Sequence, residues 1–243
     1  MSQPTAQDLY RVIDGTWPAA STSAAGAFVI REGQNGGSRV SAASADQAVT
    51  IADISAAESA MQALNQPRLF QIRDGQSDLD DALAARGYEV VDPVNMWAAP
   101  VDAIATQFPP PVTAFAVWEP LAIQIDMWAK GDIGPSRIAV MNRAPGPKSA
   151  LLGRLNDSPA GAAFVAIHDG TAMVHAVYVL PHQRKQGMAR WFMRLAAFWA
   201  RDNGARTLSA VCTQDNAAAN ALYSELGMTI VGQYHYRKHK EDL

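Results

Sequence analysis

The segment Val179-Leu180-Pro181-His182-Gln183-Arg184-Lys185-Gln186-Gly187-Met188-Ala189-Arg190 constrains the fold more than any other stretch of the chain. An apolar strand pattern, Met173–Val179, runs into a basic turn. A helical pattern then continues from Met188 to Asn203, stopped by Gly204 at the helix C-cap position. The free N–H groups at such a helix start converge, and the helix dipole adds partial positive charge. Gly187 lets an anion approach the backbone, and Ala189 keeps the first turn slim. Arg184, Lys185 and Arg190 add positive charge. The segment therefore reads as an anion cradle suited to a pyrophosphate. Neither common nucleotide loop is present. Gly146-Pro147-Lys148-Ser149 lacks the glycine spacing of a P-loop, and no G-x-G-x-x-G follows a strand.

Strand and helix patterns alternate along the rest of the chain. Strands are predicted at Phe28–Glu32, Arg39–Ala43, Leu69–Arg73, Tyr88–Val91, Thr113–Trp118, Ala150–Leu155, Ala162–His168, Thr207–Thr213 and Thr229–Tyr236. Helices are predicted at residues 5–14, Asp53–Leu64, Leu79–Arg86, Pro120–Ala129 and Ala217–Leu226. The glycine-rich Gly33–Gly37 reads as a hairpin turn, and Pro109-Pro110-Pro111 as a stiff connector. With 243 residues there is room for one large domain or two.

A hydrophobic share of 49% and a charged share of 18% exclude a disordered chain. No apolar run is long enough to span a bilayer, and the start MSQPTAQDLYRVID has no signal-peptide pattern. The expectation is a cytoplasmic protein with no membrane partner. The single Cys212 cannot form an internal disulfide, which fits a reducing compartment. A net charge of −3 argues against a nucleic-acid partner. That total divides unevenly, with −7 over residues 1–110 and +4 over residues 111–243.

A second pattern sharpens the first. Asn216-x-x-Ala219-x-x-Leu222-Tyr223-x-x-x-Gly227 follows the cradle after one helix and one strand. The two motifs, in this order and spacing, resemble the acetyl-CoA-binding signature of the GCN5-related N-acetyltransferases, the GNAT superfamily. The resemblance covers about residues 112–236. Met228 stands where the family usually has Phe, and Ala189 where it usually has a second Gly.

The resemblance implies an α+β fold, a GNAT-like mixed central sheet flanked by helices. It also implies an acetyl-CoA-dependent N-acetyltransferase in which an amine attacks the thioester directly. The amine, on a small molecule or a peptide, stays unidentified. Val177, Tyr178 and Val179 would offer backbone groups to the pantetheine arm. Arg184, Lys185, Gln186, Gly187, Met188, Ala189 and Arg190 would wrap the pyrophosphate. Asn216 would hydrogen-bond the cofactor near its reactive end. Tyr223 would protonate the departing thiolate as general acid.

His175, on the strand before the cradle, is a candidate base, with half-burial against a backbone carbonyl as its structural alternative. Glu119 is held in reserve. The histidines lack partners at ligand spacing, so no metal is expected.

An internal echo links the two halves. Arg86-Gly87-Tyr88-Glu89-Val90-Val91 stands against Leu226-Gly227-Met228-Thr229-Ile230-Val231 at an offset of 140. It places Gln76 opposite Asn216 and Leu83 opposite Tyr223. Residues 1–106 are therefore expected to form a degenerate GNAT-like lobe, without the cofactor motif or the acid, in tandem with an active domain at 112–243. Its carboxylates would then favour a cationic amine. Three alternatives stay open: transfer of another acyl group, transfer of an aminoacyl group, and a catalytically silent CoA-binding sensor or scaffold. The oligomeric state is open too, a homodimer included.

Overall fold

The computed structural model describes residues 3–243; Met1 and Ser2, at the start of the segment read as lacking a signal peptide, lie outside it. Among the described residues the strands are β1 (Ser21–Ala25), β2 (Phe28–Glu32), β3 (Ser44–Ala45), β4 (Leu69–Arg73), β5 (Tyr88–Pro100) and β6 (Ala114–Val117). They continue with β7 (Lys148–Leu155), β8 (Ser158–His168), β9 (Thr171–Val179), β10 (Thr207–Thr213) and β11 (Thr229–His239). The helices are α1 (Ala6–Thr16), α2 (Ser38–Ser41), α3 (Ile51–Ala63), α4 (Ser77–Ala85) and α5 (Val101–Ile104). After them come α6 (Ala122–Ala129), α7 (Pro135–Arg143), α8 (Met188–Asp202) and α9 (Ala217–Glu225).

The expected mixed sheet flanked by helices is present. An eight-stranded sheet runs in the order β4-β11-β5-β10-β9-β8-β7-β6, and β1-β2-β3 form a small sheet beside it. β8 explains its own unbroken apolar sequence, because both of its faces are covered. Ala163, Val165 and Ile167 join the core with Phe192 and Ala196 of α8, while Ala162, Phe164 and Ala166 join Trp17 and Trp128 on the other face. α8 buries Met188, Phe192, Leu195, Ala196 and Ala200 along one stripe, the 3.6-residue spacing expected of a helix laid on a sheet.

The triple proline does not divide this sheet. β5 precedes it in the chain, yet pairs antiparallel with β10 on one side and β11 on the other. The register carries the offset of 140 seen in the sequence. Thr229 pairs with Ala98, and Glu89 pairs with Lys238, so each partner of one pair lies 140 positions from a partner of the other. Tyr234 pairs with Arg73 in β11–β4, and Thr213 with Val94 in β10–β5, related by the same shift. Two strand–helix–glycine–strand units thus interleave, each lending its second strand to the other. Gly87 and Gly227, with φ of 84° and 78°, end the two helices in the left-handed region that glycine favours.

Three local expectations differ. Gly33–Gly37 is not a hairpin turn; the hairpin lies one strand earlier, between β1 and β2. β1 has the sequence STSAA and is almost wholly exposed, so it carries no apolar alternation to mark it. Arg39–Ala43 is not a strand, because Gly37 (φ 100°) redirects the chain into α2. α7 carries few apolar residues in period and was not expected from the sequence.

Candidate functional site

The site forms where β9 and β10 part. They pair in parallel from Thr207↔Thr171 to Ala210↔Val174 and no further. Beyond that point Val211–Thr213 pair with β5, and Tyr178 and Val179 pair with β8. A bulge drives them apart: Ala176 and Val177 together face Ala163. Ala176 has φ 51°, which costs an L-residue about 1–2 kcal/mol. The fully buried Trp128 of α6 holds it there, its Nε1–H donating to the Ala176 carbonyl at 2.8 Å. The backbone of Val177, Tyr178 and Val179 thereby faces a gap that no strand fills.

The cradle lies at the end of that gap. A 3-10 turn, Pro181–Gln183, leads into α8, whose N-cap is Gly187 at φ 84° with no side-chain cap. A Cβ added at Gly187 would meet open space. Among the described residues the N–H groups of Lys185, Gln186, Gly187, Met188, Ala189 and Arg190 make no hydrogen bond outside a regular element, and the first turn of α8 offers none within it. Orphan donors in this number at a helix start suit a phosphate group.

The side-chain charges matter less than the sequence suggested. Arg184 turns back, its Nε–H donating to the Val179 carbonyl at 3.0 Å, and Arg190 pairs with Glu225. The Gln186 amide side chain reaches Asn156 at 3.2 Å. Lys185, left-handed at φ 60°, forms no ion pair among the described residues. The cradle is mainly backbone.

Tyr223 and Asn216 sit on α9 beside it. Asn216 is the N-cap, its side-chain oxygen accepting from the Ala219 N–H at 3.1 Å, which leaves its amide donors to the outside. Tyr223 is 6% exposed, with its ring against Trp97 (centroids 6.0 Å apart). Burial pushes its phenol well above the ordinary value, so it carries its proton at neutral pH.

Asn220, one turn before Tyr223, is a residue the sequence reading missed. Its Oδ1 accepts from Asn95 (2.9 Å), Trp97 (3.1 Å) and Cys212 (3.3 Å), and its Nδ2 donates to the Thr213 and Asn216 carbonyls. It ties α9 to β5, a strand from before the prolines. No local pattern marks that tie, because Asn95 and Trp97 lie 125 and 123 residues away. Burial pushes the Cys212 thiol up to about 11, which leaves it inert as a nucleophile.

His175 is placed differently from a base awaiting an amine. It is 3% exposed and both ring nitrogens are engaged. Arg39 donates to Nδ1 at 2.8 Å, and Nε2 meets the Thr16 hydroxyl at 2.8 Å. That hydroxyl gives its own proton to the Val12 carbonyl, so Nε2–H is the donor and the imidazole is neutral. Burial, with Arg39 beside it, holds the group well below the usual histidine range. A base needs a free lone pair directed at the acceptor, and here Arg39 occupies the one available.

The depressed value has a consequence for stability. The unfolded chain binds a proton at His175 below about pH 6.5 and the folded chain does not. Stability is therefore expected to fall by about 1.4 kcal/mol per pH unit from this residue as pH drops from 6.5 toward 5. Urea melts across that range, compared with His175→Gln, check it; equal slopes would contradict the buried neutral ring. The lowered carboxylates, such as Asp80 beside Arg237, lose their contributions only at lower pH.

The helix α3 of the first half starts differently from α8. There Thr50 and Asp53 form a capping box, with the Asp53 carboxylate accepting from the Thr50 N–H at 2.8 Å and the Thr50 hydroxyl accepting from the Asp53 N–H. A carboxylate stands where an anion would bind. The start of α8, by contrast, has no side-chain cap.

Residues 116–228 match the model of the acetyltransferase (GNAT) family. Over 236 residues the chain is 25% identical to YobR of Bacillus subtilis (strain 168), named an uncharacterized N-acetyltransferase, covering 93% of this chain and 96% of that protein. Among solved structures it resembles a GCN5-related N-acetyltransferase from Kribbella flavida, with a TM-score of 0.74, 19% identity and coverage of 98% and 97% of the two chains. A tandem GNAT protein from the clavulanic acid biosynthesis pathway aligns with a TM-score of 0.60 and 12% identity, over 81% of this chain and 74% of that one.

Proposed function

We propose, on the premise that this chain belongs to the GNAT acetyltransferases through residues 116–228, that it moves an acetyl group from acetyl-CoA to an amine. The family makes it an acyltransferase; the donor and the residue roles are our reading. One observation carries it: a parted pair of strands leads to a glycine-capped helix whose first N–H groups are orphaned. In that reading, the Val177–Val179 backbone binds the pantetheine arm and Lys185 through Arg190 hold the pyrophosphate. An Asn216 amide donor orients the cofactor near its reactive end.

Acetyl-CoA supplies an activated acetyl group; the new C–N bond forms as the C–S bond breaks. Tyr223 gives its phenolic proton to the departing sulfur, and the proton shed by the amine restores it through solvent. His175 takes no proton. It holds Arg39 and Thr16 in place. We read residues 1–106 as a degenerate copy of the active unit, supported by the shared 140-residue offset in register.

The test is release of free CoA thiol from acetyl-CoA with a panel of amines. Release above the amine-free rate is expected. Thermal stabilisation by acetyl-CoA with no release on any amine would make the protein a silent binder instead.

A further inference from the structure

A cleft of about 270 Å3 opens beside the parted strands, where Val211, Cys212 and Thr213 leave β9. Cys212 connects it to α9, since its thiol meets Asn220 Oδ1 at 3.3 Å, one turn before Tyr223. Its other walls come from before the triple proline (Arg39 and Asp92), from α7 (Arg137) and from β11 (Tyr234 and Tyr236). The sequence reading had an acidic half steering a cationic amine. The wall that this half presents here is led by Arg39.

The two arginines are unusual for what they lack. Neither forms an ion pair among the described residues. Arg39 spends one N–H on the neutral His175 ring and lays its guanidinium over Trp17, 4.9 Å from the ring centroid. Arg137 donates to the Asp132 carbonyl at 3.2 Å, and its guanidinium lies against Gly37, two residues from Arg39. Both are half-buried. A third group points the same way. Tyr236 is 2% exposed, and its buried hydroxyl, beside the Tyr234 ring, makes no hydrogen bond of ordinary geometry. Two unneutralised guanidiniums and an unmet hydroxyl are the donor set that recognises a carboxylate. Asp92, exposed on the same wall, supplies the opposite charge. It would attract an ammonium group and disfavour a multiply charged anion.

We propose that the acceptor is an amine that also bears a carboxylate, an amino acid or a related zwitterion. Its carboxylate is held by Arg39 and Arg137 and its amino end lies toward Asp92 and the parted strands. The inference rests on the acetyltransferase reading but concerns recognition, so it is tested by binding without turnover.

Calorimetric titration of the full chain with α-, β- and γ-amino acids and their matched carboxamides is the experiment. At least one free acid is expected to bind about tenfold or more tightly than its carboxamide. Arg137→Gln should remove most of that preference while leaving the thermal shift given by acetyl-CoA intact. Equal or tighter binding of the carboxamides, no binding by any amino acid, or a preference that survives Arg137→Gln overturns the proposal. Thiol release on simple amines with no carboxylate preference would sink this inference and leave the acetyltransferase reading standing. A carboxylate preference without thiol release on any amine would do the reverse.

Discussion

Gly187→Glu is expected to abolish the thermal stabilisation by acetyl-CoA, weakening its binding by about 100-fold or more, or about 2.7 kcal/mol. Two effects act together. The backbone at Gly187 has φ 84°, so any side chain there is strained by about 1 kcal/mol. The added carboxylate then competes for the orphan N–H groups of Met188 through Arg190 and repels a pyrophosphate. The fold itself should tolerate the change, because a Cβ at this position meets open space. Gly187→Ala separates the two effects, since it carries the strain without the charge and should weaken binding only several-fold. An acetyl-CoA shift in Gly187→Glu equal to that of the unmodified chain would remove this loop as the pyrophosphate site.

Tyr223→Phe is expected to lower kcat by about 100- to 10,000-fold, the range typical of a lost general acid. Affinity for acetyl-CoA should change by no more than about threefold. The ring stays packed on Trp97, and no hydrogen-bonded partner is stranded, so stability should hold within about 0.5 kcal/mol. Single-turnover thiol release, with binding measured separately, distinguishes chemistry from affinity. Unchanged kcat would leave solvent as the proton donor to sulfur.

The strand, turn and glycine-capped helix start were legible because each is marked locally. Val179 to Arg190 lie in one run, and strand, glycine and helix start are each marked by neighbours within a few residues. Asn216 and Tyr223 were legible because a single helix fixes their spacing. The 140-residue echo also proved informative: residues 86–91 and 226–231 foreshadowed a register symmetry that only pairing could display. His175 shows the limit. Its type and position suggested a base, but a histidine's role depends on which groups meet its two nitrogens. Those groups are Thr16 and Arg39, 159 and 136 residues away. Arg39 was itself misplaced in a strand, since α2 is a four-residue helix with too few residues to show a period.

By itself the sequence determined the layer type, the glycine-led start of α8 and the helix that carries Tyr223, all features set by backbone propensity and by contacts within one or two turns. Tertiary structure alone decided that β5 from the first half enters the sheet beside β10, and that Asn220 anchors α9 to it. It also decided that the cleft beside the parted strands is lined by Arg39 and Arg137 as well as Asp92. The reason is physical. Charge summed along a chain records composition, whereas a ligand meets only the few groups that folding brings to one face, and elsewhere carboxylates of the first half such as Asp80 and Asp14 pair with Arg237 and Arg31.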